Sequence, residues 1–101
     1  MKKILLVCAA GMSTSLLVTK MKEAAKNCGE EVSIEAHPIA EAEKIIEDKD
    51  IVLLGPQVRF QKAQVEKLVN GRIPVEVIDM VLYGTMNGAA VLKMALEKIN
   101  G

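Results

Sequence analysis

The chain has 101 residues, a formal net charge of zero and a composition that is 50% hydrophobic. That length fits one domain, and that apolar share describes a packed globule, not a disordered chain. A balanced charge gives no general electrostatic attraction to nucleic acid. Trp is absent and Phe and Tyr occur once each, so the core must be aliphatic.

In chain order, Lys2-Lys3 leads into Ile4-Leu5-Leu6-Val7, with Cys8 at the exit. A continuous aliphatic run of that length predicts a strand covered on both faces. It is too short to span a bilayer and lacks a signal-peptide cleavage pattern, which predicts a cytoplasmic protein without membrane insertion. From Leu16, the residues Leu17, Met21, Ala24 and Cys28 recur at helical spacing. Cys28 is expected as a small buried hydrophobe, and Gly29 as the helix stop. Val32, Ile34 and Ala36 alternate with polar residues, as in an edge strand, and Pro38 turns the chain. A short amphipathic helix is expected over 39–47, with Ala42, Ile45 and Ile46 inward. Ile51-Val52-Leu53-Leu54 predicts a second buried strand, broken by Gly55-Pro56.

A third helix is expected over about 60–69, with Val65 and Leu68 inward, closed by Asn70-Gly71. Pro74 precedes a fourth short strand over 75–78, and Asp79 marks its exit. The tail holds a final helix from Gly88, and Tyr83-Gly84 and Asn87-Gly88 are places where it divides in two. Met80, Met86 and Met94 read as packing residues. Four alternations of strand and helix predict an α/β fold: an open, doubly wound sheet of four parallel strands in the order 2-1-3-4, with helices on both faces. In that order the switch point lies beside the first strand, where ligands gather at strand carboxyl ends, and Cys8 is there.

Ala9, Ala10, Gly11, Met12, Ser13, Thr14 and Ser15 then form a loop leading into a helix. Small residues admit a ligand, Gly11 permits unusual backbone angles, and Ser13 and Thr14 favour a helix start. The amides of a first helical turn attract anions and lower a thiol's pKa. Cys8 reads either as a nucleophile in an anion-binding loop or as the last core residue of its strand. The spacing is neither that of a nucleoside triphosphate loop nor that of a dinucleotide fingerprint. His37 has no second ligand at metal spacing, so no metal or cofactor is expected.

The run Cys8-Ala9-Ala10-Gly11-Met12-Ser13-Thr14-Ser15-Leu16-Leu17 resembles the signature of the lactose/cellobiose-class IIB component of the bacterial phosphotransferase system. Leu54-Gly55-Pro56-Gln57, Pro74-Val75-Glu76-Val77-Ile78-Asp79 and Leu82-Tyr83-Gly84 extend the likeness over nearly the whole chain. The resemblance implies a single IIB domain over 1–101. In it Cys8 would accept phosphate from a IIA phosphohistidine and pass it to a β-linked disaccharide of cellobiose, chitobiose or lactose type. The sugar would be held by membrane-embedded IIC, so the protein would work in the cytoplasm and meet the membrane only through IIC. The related low-molecular-weight tyrosine phosphatases carry an arginine where this chain has Thr14, so a bidentate clamp on the phosphoryl group is missing. A phosphatase or arsenate reductase, and a noncatalytic anion-binding module, are the alternatives. Gln57, Arg59, Asp79 and Tyr83 are expected as accessory or partner-contacting residues, with a helix cap preferred for Asp79.

Overall fold

The structure is a computed structural model that describes residues 1–8 and 12–100, with the backbone alone at Cys8, Met12, Ser13 and Thr14. Strand β1 (Lys2–Cys8) is followed by helix α1 (Met12–Cys28) and strand β2 (Val32–Pro38). Helix α2 (Ile39–Ile45) tightens into a 3-10 turn over Ile46–Asp48 before β3 (Ile51–Leu54). A 3-10 segment, Pro56–Gln61, precedes α3 (Lys62–Val69). Then come β4 (Val75–Val77), α4 (Met80–Gly84) and α5 (Gly88–Asn100).

All three strand pairings are parallel, in the order β2-β1-β3-β4. The central strands are the two aliphatic runs: every residue of 4–7 and of 51–54 is fully buried. Each such side chain contributes about 2 kcal/mol by leaving water. Alternation splits them between two cores. Ile4, Leu6, Ile51 and Leu53 meet Leu17, Met21 and Ala25 of α1 and Val91, Leu92 and Ala95 of α5. Leu5, Val7, Val52 and Leu54 meet Ala42, Ile46, Val58, Val65 and Val69 on the other face. The doubly wound sheet and its strand order are those the sequence predicts. No helix of the described residues is long and apolar enough to cross a membrane.

Four local expectations are corrected. Helix α1 begins at Met12, a turn before Leu16, so Ser13 and Thr14 lie inside its first turn. Its inward row is Leu17, Met21 and Ala25, and Cys28 is exposed, its thiol donating to the Ala25 carbonyl at 3.6 Å. Cys28 falls in the last turn, one turn beyond the buried Ala25. Helix α3 begins at Lys62, not near 60, because Pro56 starts a tighter segment that kinks at Val58 (φ −116°, ψ 21°). Its inward side is Val65 and Val69, fully buried, with Leu68 packed partly buried against the same core as expected. Met80 is exposed, whereas Met86 and Met94 pack against the core as expected.

One buried charge was not legible in the sequence. Lys49 is buried and pairs with Glu35 of β2 and, at 3.4 Å, with Asp48. The hydrogen bond from Lys49 holds the Glu35 carboxyl below its usual range. Burial works against the charge on Lys49, yet the bonds to Glu35 and Asp48 prevail and raise its pKa. A depressed carboxyl stabilises the fold above its unfolded-state pKa and loses that contribution as pH falls through the folded-state value. A raised lysine loses its contribution only as pH rises through its folded-state value.

Two substitutions test these contacts. A Cβ at Gly88 would lie 2.5 Å from the backbone carbon of Lys20, where helix α5 abuts α1. Gly88→Ala is expected to destabilise the protein by about 1–3 kcal/mol in chemical denaturation, since backbone must shift to admit the methyl. Glu35→Gln is expected to cost about 1 kcal/mol near pH 7, a figure reduced because Glu35 is partly exposed. That difference from the parent protein should shrink toward zero by about pH 3, read from urea midpoints at both pH values.

Candidate functional site at the strand carboxyl ends

Cys8 is the last residue of β1, and α1 opens at Met12. In the parallel sheet β1 lies between β2 and β3, so the chain leaves in opposite directions on its two sides. A crevice forms outside the strand ends at such a switch point. Of the residues expected to bind phosphate, Ala9, Ala10 and Gly11 lie outside the described residues. So do the side chains of Cys8, Met12, Ser13 and Thr14. Met12, Ser13, Thr14 and Ser15 form the first turn of the 17-residue helix α1. Amides at such a turn have no partner four residues back. Ser15 is exposed, and its carbonyl accepts from Thr19 Oγ1 at 3.1 Å.

The neighbouring connection is built around Gly55. Its N–H donates to the Val7 carbonyl at 3.0 Å, continuing the pairing of β1 with β3 by one residue. Pro56 then enters the first 3-10 position, where its missing N–H costs nothing. The Val58 N–H closes the turn onto the Gly55 carbonyl at 3.0 Å. A Cβ at Gly55 would lie 2.8 Å from Gln57 Oε1, 3.7 Å from Tyr83 Cε2 and 3.8 Å from the Val7 carbonyl oxygen. Gln57, Tyr83 and the end of β1 therefore converge on this one glycine. Two of the four expected accessory residues are brought together beside the strand that ends in Cys8.

Tyr83 is held there by Asp79. The Asp79 Oδ1 accepts from the Val81 N–H at 2.8 Å and the Leu82 N–H at 3.3 Å, capping α4. The Asp79 carbonyl accepts from the Tyr83 N–H at 2.9 Å. The cap preferred for Asp79 on sequence grounds is what it forms. Helix α4 is only five residues long and could not hold a fixed direction without it. Tyr83 is buried, joining the core shared with α1 and α5.

Arg59 is exposed and lines a shallow cleft of about 420 Å³ with Pro56, Gln57, Phe60 and Met80. Met80, expected as a packing residue, and Phe60 both stand at the surface. Nothing in the helical spacing around 60–69 marks Phe60 as outward; the 3-10 segment turns it out. Met80 is the first residue of α4, where the signal was present: the position after an Asp cap is a first-turn position far from the core. A larger cleft, about 710 Å³, lies between the C-terminal part of α1 and the length of α5 and includes Cys28. Cys28 is some 16 residues along α1 from Met12, roughly 24 Å at the helical rise. That cleft is separate from the strand ends. Among the described residues no group of His, Cys, Asp and Glu is placed to hold a metal ion.

The cap is open to test. Asp79→Ala is expected to lower stability by about 1 kcal/mol, while Asp79→Asn, also a good cap, should recover most of it. Thermal melts of both variants give the comparison.

Comparison with known proteins places this architecture. The family model described as "PTS system, Lactose/Cellobiose specific IIB subunit" matches residues 3–94. The chain is 50% identical over 98 residues to the oligo-beta-mannoside-specific EIIB component of the phosphotransferase system of Bacillus subtilis strain 168, covering 96% of this chain and 95% of that protein. It is 43% identical over 105 residues to the cellobiose-specific EIIB component of Lactococcus lactis subsp. lactis strain IL1403, covering 98% and 97%. The solution structure of a cellobiose-specific phosphotransferase IIB component from Borrelia burgdorferi superposes with a TM-score of 0.82 at 42% identity, covering 98% of this chain and 92% of that one. The lactose-specific IIB component domain from Streptococcus pneumoniae shares the fold, with a TM-score of 0.85 at 21% identity and 96% of each chain covered. The chain belongs to the lactose/cellobiose-specific IIB subunits of the phosphotransferase system and is a phosphotransferase component of that system.

Proposed function

We propose that this chain, acting as one IIB domain over 1–101, carries a phosphoryl group on Cys8 between a IIA protein and a sugar bound by membrane-embedded IIC. The observation that carries the reading is the position of Cys8. It closes a central strand whose residues 4–7 are fully buried, at the sheet's switch point, with three residues between it and a 17-residue helix. Backbone amides at that helix start favour an anion on either side of the transfer. They lower the thiol's pKa when sulfur is bare and receive phosphoryl oxygens when it is loaded.

The transfer proceeds in two displacements. The Cys8 thiolate attacks the phosphorus of a phosphohistidine in line; the S–P bond forms, the P–N bond breaks, and the imidazole nitrogen keeps the electron pair. The amides from Ala10 to Ser15 take the three equatorial oxygens. In the second step a sugar hydroxyl attacks phosphorus, the P–S bond breaks and sulfur leaves as thiolate. The hydroxyl proton goes to a base on the acceptor side. Gln57 and Tyr83, converging at Gly55, border the incoming group, and Arg59 supplies positive charge at the rim. Asp79 acts by setting α4 and so Tyr83.

Thr14 stands where the phosphatases of related architecture have an arginine. Without that clamp the phosphocysteine lacks a strong stabiliser for attack by water. That suits a carrier, which must keep its phosphate until a sugar arrives. The sugar is a β-linked disaccharide of cellobiose, chitobiose or lactose type. Relatives named for oligo-beta-mannoside, cellobiose and galactose match at 43–50% identity, so overall similarity does not single out one sugar. The protein works in the cytoplasm and reaches the inner face of the membrane through IIC.

Incubation with a purified, phosphorylated IIA protein should add one phosphoryl mass, mapped to Cys8 by peptide analysis. Cys8→Ser should abolish that label while Cys28→Ser leaves it intact. Label on another residue, or steady release of inorganic phosphate from an aryl phosphate, would overturn the carrier reading.

A further inference from the structure

Five large apolar residues stand well out into solvent among those described: Met1, Leu16, Phe60, Met80 and Val81. All but Met1 belong to segments that follow the carboxyl ends of β1, β3 and β4. Leu16 is in the second turn of α1, after β1. Phe60 is in the 3-10 segment after β3, and Met80 and Val81 open α4 after β4. In a parallel sheet these connections leave from the carboxyl edge, beside three adjacent strand ends, and Phe60 and Met80 line one cleft there. Their exposures are 49%, 77%, 67% and 69% in chain order. The fold gains little from them. Phe and Met are among the residue types that gather in protein interfaces, where aromatic anchors carry much of the binding energy.

We infer that Leu16, Phe60, Met80 and Val81, with Arg59, form the docking face for the phosphohistidine-bearing donor protein. The inference rests on the carrier reading of Cys8. Two observations bear on the occupant. The first is continuity with the reacting sulfur: the atoms of either transfer must align at close range, so a transfer partner has to seat on this edge. The second is charge. Among the described residues lining the cleft of Pro56, Gln57, Arg59, Phe60 and Met80, Arg59 is the charged one, and it is positive. The nearby Asp79 carboxylate is engaged by two α4 amides. A donor arrives with a phosphoryl dianion at the centre of its face and meets this cation directly. The sugar-side partner meets an edge that already carries phosphate, so Arg59 attracts it less. Phe60 and Met80 share a cleft with Arg59, which joins apolar anchoring and steering in one patch.

The test is the rate of Cys8 phosphorylation at varied concentrations of a phosphorylated IIA protein. The variants are Phe60→Ser, the double variant Phe60→Ser with Met80→Ser, and Arg59→Gln. The double variant should raise the donor KM by about tenfold, with kcat within about twofold and the same final mass on Cys8. Phe60→Ser alone, at the most exposed of the four sites, should show part of that rise with an unchanged thermal melt. Arg59→Gln should lower kcat/KM by about threefold or more and flatten its salt dependence. A donor KM within about twofold of the parent in the double variant would overturn the inference. So would an unchanged donor step with slowed transfer to sugar by IIC-containing membranes, which would assign the patch to the acceptor. If the parent protein takes no label on Cys8, the carrier reading itself fails, and this is a different result from an unchanged KM.

Discussion

The hydrogen bond from the Gly55 N–H to the Val7 carbonyl, 3.0 Å long, fixes the frame of the candidate site. It extends the ladder between the two central strands one residue beyond β3, at the point where both must turn away. On one side of it the chain passes through Cys8 toward α1. On the other it enters the Pro56 turn that presents Gln57 and Arg59. The absence of a side chain at Gly55 lets the Gln57 carboxamide and the Tyr83 ring close over the same point. A single backbone contact thus relates the cysteine's strand to three of the residues around it.

That contact can be held only if the strands beneath it cannot slip. Residues 4–7 and 51–54 are fully buried on both faces, so a one-residue shift would exchange the two cores and misfit both. The amino ends are tied as well. The Lys3 N–H donates to Asp50 Oδ2 at 2.7 Å, and the Asp50 N–H donates to the Lys3 carbonyl at 2.8 Å. Lys49, buried between Glu35 and Asp48, joins β2 to the same end. The site end carries no comparable charge lock among the described residues. Its order comes from capping, as at Asp79, and from tight turns. This division suits a carrier: the far end holds the register, and the near end stays open to partners.

Much of this was readable in the chain. Two uninterrupted aliphatic runs and one alternating run determine which strands are central and which lies at the edge, because burial on two faces and on one leave different patterns. Asp79 before a short apolar stretch reads as a cap, and it is one. Asn70 closes α3 in the left-handed region, at φ 51°, as Asn-Gly suggests. The misses share a physical cause. Small residues such as Ala25 and Cys28 carry little periodic signal, so spacing alone does not tell that Ala25 belongs to the buried row and Cys28 lies outside it. Phe60 and Met80 are apolar, and apolarity alone cannot separate a core residue from one held outward by a 3-10 turn or a helix start. Lys49 reads as solvated until β2 and the turn before β3 are placed side by side.

The account depends on the helix start behind Cys8 keeping its sulfur anionic. The pH dependence of Cys8 alkylation by iodoacetamide, in protein whose exposed Cys28 has been replaced by serine, tests this most directly. A thiolate pKa well under the ordinary cysteine value of about 8.5 is the predicted result. A value at or above about 8.5 would contradict it, since that sulfur would be mostly protonated at neutral pH and not a poised acceptor.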